Sequence, residues 1–99
     1  MLFDKEDSLK IYLEREPQKS IQYGKKAEYF AELMVDDISR GKAYLIIGQS
    51  YELLGEQDLA MAYFKDALMI FNLSDYKSGI AKCYNNFAVI YYSEQETDS

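Results

Sequence analysis

The sequence has no histidine and no tryptophan, and only one proline, one cysteine and five glycines in 99 residues. Without histidine the chain lacks the commonest general base, the most used metal ligand and the side chain that titrates nearest neutral pH. A lone cysteine, Cys83, can close no internal disulfide and build no zinc site, so it leaves the redox compartment open. With no imidazole to activate it, Cys83 reads as a small core residue. Basic residues are also scarce: 11 Lys and Arg against 17 Asp and Glu give a net charge of −6 and a pI of about 4.5. Such a field repels phosphate backbones and anionic lipid surfaces, so no direct nucleic-acid partner is expected. Long apolar runs are missing as well. Phe87 to Tyr92 is among the longest, far short of the roughly 20 residues of a membrane span. Met1-Leu2-Phe3 leads straight into Asp4-Lys5-Glu6-Asp7, without the basic start and apolar stretch of a signal peptide, so no membrane segment is expected.

Catalysis is not expected either. The carboxylate pairs Glu14/Glu16, Asp36/Asp37 and Glu94/Glu96 fall at helix ends or in loops, where acids serve as caps and solvated charge. None has a nucleophile, a base or a glycine-rich phosphate loop beside it. No catalytic residue, cofactor site or metal site is assigned.

What is present is apolar surface in a helical rhythm. Hydrophobic residues are 48% and charged residues 28%, enough to offset the entropy of ordering one globular domain. Apolar positions recur at three- and four-residue intervals and nowhere alternate, which predicts an all-α chain. A first helix is expected over 5–15, with Leu9, Tyr12 and Leu13 on one stripe. Pro17, at a position where its missing N–H costs nothing, opens a second that runs to 34. Ile21, Tyr23, Ala27, Phe30, Ala31 and Met34 are its candidate interior. A third spans 37–54, capped by Asp37 and closed by Gly55. The fourth carries Leu59, Ala60, Tyr63, Phe64, Ala67, Leu68 and Phe71. Ser74 or Asp75 caps a fifth over 76–93, and 94–99 reads as a polar tail. Five helices joined by short loops imply antiparallel neighbours.

The chain also repeats itself. Tyr23 and Tyr63, Ala27 and Ala67, Tyr44 and Tyr84, Gly48 and Ala88, and Tyr51 and Tyr91 each stand 40 residues apart, and Lys25/Lys65 and Lys42/Lys82 keep the same offset. A two-helix unit cannot bury both its faces alone, so repeated hairpins stack into a solenoid. Within one unit, Tyr44-Leu45-Ile46-Ile47-Gly48-Gln49-Ser50-Tyr51, followed by Ala60-Met61-Ala62-Tyr63-Phe64 and Ala67, resembles the tetratricopeptide pattern W-x2-L-G-x2-Y…A-x3-F. Tyr stands in the Trp position and Ile in the Leu position. Gly48 and Ala60 fall where the two helices of a hairpin would cross closely, with Tyr44, Ile47, Tyr51 and Phe64 filling the space around them. Tyr84, Phe87, Ala88 and Tyr91 repeat the first half of the motif. Ser20 to Ala27 resembles its second half, with Gly24 where an aromatic is expected. Asn72 replaces the terminal Pro, and the offset of 40 exceeds the family's usual period of about 34.

The resemblance implies a right-handed helical-hairpin solenoid in one domain: a degenerate first hairpin over 5–34, a full repeat over 37–72 and the first helix of a third over 76–93. Longer repeats of this kind resemble those of bacterial peptide-binding regulators and of the sensory arms of some histidine kinases and transcription activators. In such arrays the first helix of each hairpin lines a concave groove. Carried over residue by residue, the groove is Lys42, Leu45, Gln49 and Glu52 with Lys82, Asn85, Asn86, Val89 and Tyr92. Amides and lysines there can hold a peptide backbone or a carboxylate, though the same residues also suit an ordinary solvated helix face. The function implied is non-catalytic protein or peptide binding, as a scaffold or sensory part of a signalling protein. The alternatives are a fragment of a longer kinase or regulator, and a self-associating structural piece. The compartment expected is the cytoplasm, or the periplasm if the chain is part of a membrane sensor. An exposed fifth helix would need cover from another repeat, a following domain or a second copy.

Overall fold

The computed structural model describes residues 16–98, with side chains through Glu94. The helix expected over 5–15 lies outside the described residues. Four α-helices follow one another, α1 (Pro17–Leu33), α2 (Asp37–Leu53), α3 (Gln57–Leu73) and α4 (Lys77–Asp98), with no strand among the described residues. Their first residues stand 20 apart, so two helices and two turns reproduce the offset read from the side chains. α4 runs past the expected end at 93 into the acidic segment. Glu94, Gln95 and Glu96 are good helix formers, and no Gly or Pro interrupts them.

The three turns are built alike. Met34, Leu54 and Ser74 close the preceding helices in the αR region. The next residue is then left-handed: Val35 at φ 54°, Gly55 at φ 82° and Asp75 at φ 52°. The Asp36, Glu56 and Tyr76 N–H groups donate back to the Ala31, Tyr51 and Phe71 carbonyls at 2.8, 2.9 and 2.9 Å. These are Schellman closures, which satisfy carbonyls the helix ends would otherwise leave bare. Two capping assignments are corrected by them. Ser74 closes α3 and Asp75 is left-handed, so neither caps α4; the Tyr76 carbonyl accepts its first N–H, from Ile80 at 3.1 Å. Asp36, and not Asp37, caps α2: its carboxylate accepts from the Ser39 N–H at 3.1 Å and the Ser39 hydroxyl at 2.6 Å. Those two bonds hold the Asp36 carboxyl below its ordinary range.

Each helix packs on the next, and α2 also meets α4. The core between α2, α3 and α4 is Leu45, Ala60, Phe64, Ala67, Phe71, Cys83 and Ile90, ringed by Tyr44, Tyr51, Met61, Leu68, Tyr76, Ile80 and Phe87. Glycines let the helices close around its two phenylalanines. A Cβ on Gly48 would stand 2.6 Å from the Phe64 ring, and Cβ atoms on Gly41 and Gly79 would stand 2.5 and 2.6 Å from Phe71. Phe71 is thus gripped between α2 and α4. Burying each phenylalanine is worth about 1.5–3 kcal/mol.

α1 departs from expectation. Its buried residues are Ser20, Gly24 and Ala31, whereas Tyr23, Ala27, Phe30 and Met34 are exposed and Ile21 is half-buried. The reason is its small-residue edge: a Cβ on Gly24 would lie 2.6 Å from Ile47 Cγ1, so α1 approaches α2 along Gly24 and turns its aromatic edge outward. On α3, Leu59 is exposed rather than interior.

Candidate functional site

The predicted groove residues come from α2 and α4, which alternate with α3 in the stack. Gln49 Nε2 donates to Asn86 Oδ1 at 3.4 Å, partly buried, tying α2 to α4. Asn86 Nδ2 is buried without a partner among the described residues. Lys42 places its ammonium over the Tyr76 ring, 5.5 Å from the centroid, at the start of α4. Such a contact holds the cation at the groove's edge without neutralising it. Glu52 is half-buried, and burial raises its carboxyl above the ordinary range. Lys82, Asn85, Val89 and Tyr92 are exposed on α4.

Leu45 corrects the expected set. It is 6% exposed and belongs to the core shared by α2, α3 and α4, so it faces the interior and not solvent. Of the adjacent amides, Asn85 is exposed and Asn86 carries the interhelical bond. Tyr76 is the residue sequence reasoning missed. The signal was available, since an aromatic at the mouth of a helix, in the turn that faces Lys42, is a cation–π site in waiting.

The packing set divides the same way. Ile47, Gly48, Ala60, Phe64 and Ala67 are buried, and Tyr44 and Tyr51 half-buried. Tyr63 of α3 sits between those two tyrosines, with ring centroids 5.8 Å from Tyr44 and 5.7 Å from Tyr51. Burial, and then the charge of the nearby Glu28 carboxylate, push the Tyr44 hydroxyl up. Phe87 meets Phe64 edge to face at 6.3 Å. Tyr84, Ala88 and Tyr91, however, are exposed, the two tyrosines by 58% and 55%. The matching face of α2 is covered by α3, whereas no described helix covers this face of α4. The forty-residue equivalence therefore holds for helix register and for the inner faces, and stops at the outer face of α4.

Cys83 is fully buried, and burial pushes its thiol up to about 11, which keeps it protonated and unreactive at neutral pH. Among the described residues no group of three or more His, Cys, Asp or Glu could hold a metal, and no described helix is long and apolar enough to cross a membrane.

The family model for the tetratricopeptide repeat matches residues 41–72, a stretch that begins at Gly41 in α2 and ends at Asn72 in α3. The chain has no significant match among curated proteins or among solved structures. Repeats of this family are in general non-catalytic modules for protein–protein interaction. With Gly48 seated under Phe64 and Ala60 buried at the same crossing, the hairpin of α2 and α3 is a tetratricopeptide repeat.

Proposed function

We propose that the chain is one right-handed solenoid domain that binds an extended or helical peptide in the groove between α2 and α4. Lys42, Lys82 and the amides of Gln49, Asn85 and Asn86 meet the peptide backbone or a carboxylate, with Glu52, Val89 and Tyr92 along the rim. The supporting observation is the Gln49–Asn86 bond of 3.4 Å. It brings amides from two helices to one place and leaves the second Asn86 donor without a protein acceptor. A buried amide donor gains most from an ionised acceptor. The module serves as a scaffold or sensory part of a bacterial signalling protein, in which hairpins over 5–34 and 37–72 and the helix α4 couple the bound peptide to an output domain.

The test is an array of short peptides, each displayed with and without a free terminal carboxylate. It is probed with the chain, with Asn85→Ala plus Asn86→Ala, and with Lys82→Glu plus Asn85→Ala. The second pair lies wholly on exposed positions and leaves folding intact. The native chain is expected to bind a carboxylate-bearing subset, and both variants to lose about tenfold or more in affinity. Equal binding by the variants would refute the groove, and no binding to any peptide would refute the function.

A further inference from the structure

We infer that two copies of this chain pair through α4, the two helices lying antiparallel across a twofold axis that passes at Ala88. Lys77, Ala81, Tyr84, Ala88 and Tyr91 succeed one another along α4 at steps of 4, 3, 4 and 3 residues, and all five are exposed. That spacing is the seam of a helix that packs along another helix. It runs opposite the inner face of α4, where Gly79, Cys83 and Ile90 are buried. α4 therefore carries a second packing face, with its two tyrosines 58% and 55% exposed. On α2 the same register of Tyr44, Gly48 and Tyr51 receives a helix, since Tyr63 of α3 sits against both tyrosines at 5.8 and 5.7 Å.

The charges of α4 select the occupant. Lys77 and Lys82 are the cations of this helix and stand in its first two turns, whereas its acids, Glu94, Glu96 and Asp98, stand in its last two. α2 and α3 instead open on an acid, Asp37 and Asp58. Both ends of α4 thus carry the sign that its own macrodipole disfavours. An antiparallel copy lays the acidic end of one α4 beside the basic end of the other, at both ends of the contact, and opposes the two dipoles. A parallel copy would set like charge beside like. A helix sorted in this way is its own antiparallel complement, so the face fits a second α4. In that arrangement Ala88 faces the partner's Ala88, small enough for the backbones to approach, and Tyr84 meets the partner's Tyr91. The same patch serves both copies, so the contact is isologous and closes at the dimer. The net charge of −6 on each copy opposes it, and salt that shortens the screening length to about 8 Å relieves that repulsion. The seam contains none of the groove residues, so the pairing does not depend on peptide binding.

Sedimentation equilibrium in about 0.15 M salt tests the pairing with the chain and with Ala88→Arg. Ala88 is exposed, so the variant should keep the parent's circular-dichroism melt. The parent's average mass is expected to rise with concentration toward twice the 11.5 kDa of one chain and no further, while Ala88→Arg stays monomeric. Orientation is read by mild oxidation of Ala88→Cys and of Ala81→Cys, with the parent alongside. Cys83 is fully buried and does not compete. A disulfide needs β-carbons about 3.5–4.5 Å apart. Antiparallel helices centred on Ala88 bring the two 88 positions that close and hold the two 81 positions about 21 Å apart along the axis. Ala88→Cys is therefore expected to be trapped as a covalent dimer and Ala81→Cys to stay monomeric on a denaturing gel. A parent that stays monomeric to about 1 mM would overturn the inference and assign this face to something other than a second copy. A mass that climbs past the dimer, or Ala88→Arg associating as the parent does, would overturn the twofold contact at Ala88. Failure to trap Ala88→Cys would do the same, and equal trapping of both cysteines would show a parallel pair, against the charge sorting of α4.

Discussion

Phe64 lies so close over Gly48 that a β-carbon there would stand 2.6 Å from its Cε1 and 3.2 Å from the Ala60 carbonyl oxygen. Phe64 is fully buried and has no room to yield. On helix propensity alone Gly48→Ala would stabilise α2 by about 1 kcal/mol. Overpacking opposes that gain with about 1–3 kcal/mol, so Gly48→Ala is expected to lower the urea midpoint, and Gly48→Leu to lower it further. A rise in the midpoint for Gly48→Ala would mean that the helices do not cross closely at this residue.

That contact was legible from the chain because a glycine, an alanine and an aromatic in fixed register are the sparse marks a close helix crossing leaves. Helix count within 16–98, the turn positions and the burial of Ile47, Ala60, Phe64 and Ala67 follow from the same periodicity. What periodicity could not settle is which edge of an amphipathic helix faces in. On α1 both an aromatic edge, with Tyr23 and Phe30, and a small-residue edge, with Ser20 and Gly24, are available, and close approach to Ile47 selects the small one. The groove was partly legible for a similar reason. Leu45 occupies a groove position in the motif yet is buried, because it joins the core that α2, α3 and α4 share. Nor could the turns be assigned from capping residues alone, since a left-handed Asp75 looks in sequence like a helix cap.

Val35 is a β-branched residue held at φ 54° in the first turn, where Gly55 does the same duty in the second. A left-handed residue other than glycine costs roughly 1–2 kcal/mol, and β-branching worsens it. Val35 is exposed, so no packing is lost when its side chain is removed. Against this, glycine returns about 0.4–1 kcal/mol to the unfolded chain as entropy. Val35→Gly is therefore expected to stabilise the fold by about 0.5–1 kcal/mol, and Gly55→Val to destabilise it by about 1–2 kcal/mol. Thermal melts of the two variants should move in opposite directions. A shared direction would show that the turns are not equivalent.

The Gln49–Asn86 bond makes a claim about coupling between α2 and α4. A partly buried neutral side-chain bond contributes about 0.5–1.5 kcal/mol. A double-mutant cycle of Gln49→Ala and Asn86→Ala should return a coupling energy in that range. The cycle is read from urea denaturation in the absence of peptide. Additive single effects would mean that the two amides fold independently of each other, and the groove would lose the contact that gathers its polar groups.

Glu52 and Asp36 titrate in opposite senses, which gives the pH dependence of stability a sign at each. Burial raises the Glu52 carboxyl above its ordinary value of about 4.5, so the folded state holds that proton more tightly than the unfolded state. Stability then falls as pH rises from the unfolded pKa through the folded one, and above both the ionised Glu52 is a net cost. Asp36 is lowered by its bonds from Ser39, so its contribution is present above the unfolded pKa and is lost as pH drops through the folded one. Glu52→Gln is accordingly expected to raise the melting temperature at pH 7, with the gain vanishing below about pH 4, where Glu52 is protonated in both states. Asp36→Ala is expected to lower the melting temperature at pH 7, with the loss shrinking toward acid. Melting curves of both variants beside the parent from neutral to acid pH check the pair. If Glu52→Gln instead lowers the melting temperature at pH 7, the Glu52 carboxylate is held by a favourable partner and not by desolvation alone, and its place on the groove rim has to be redrawn around that partner.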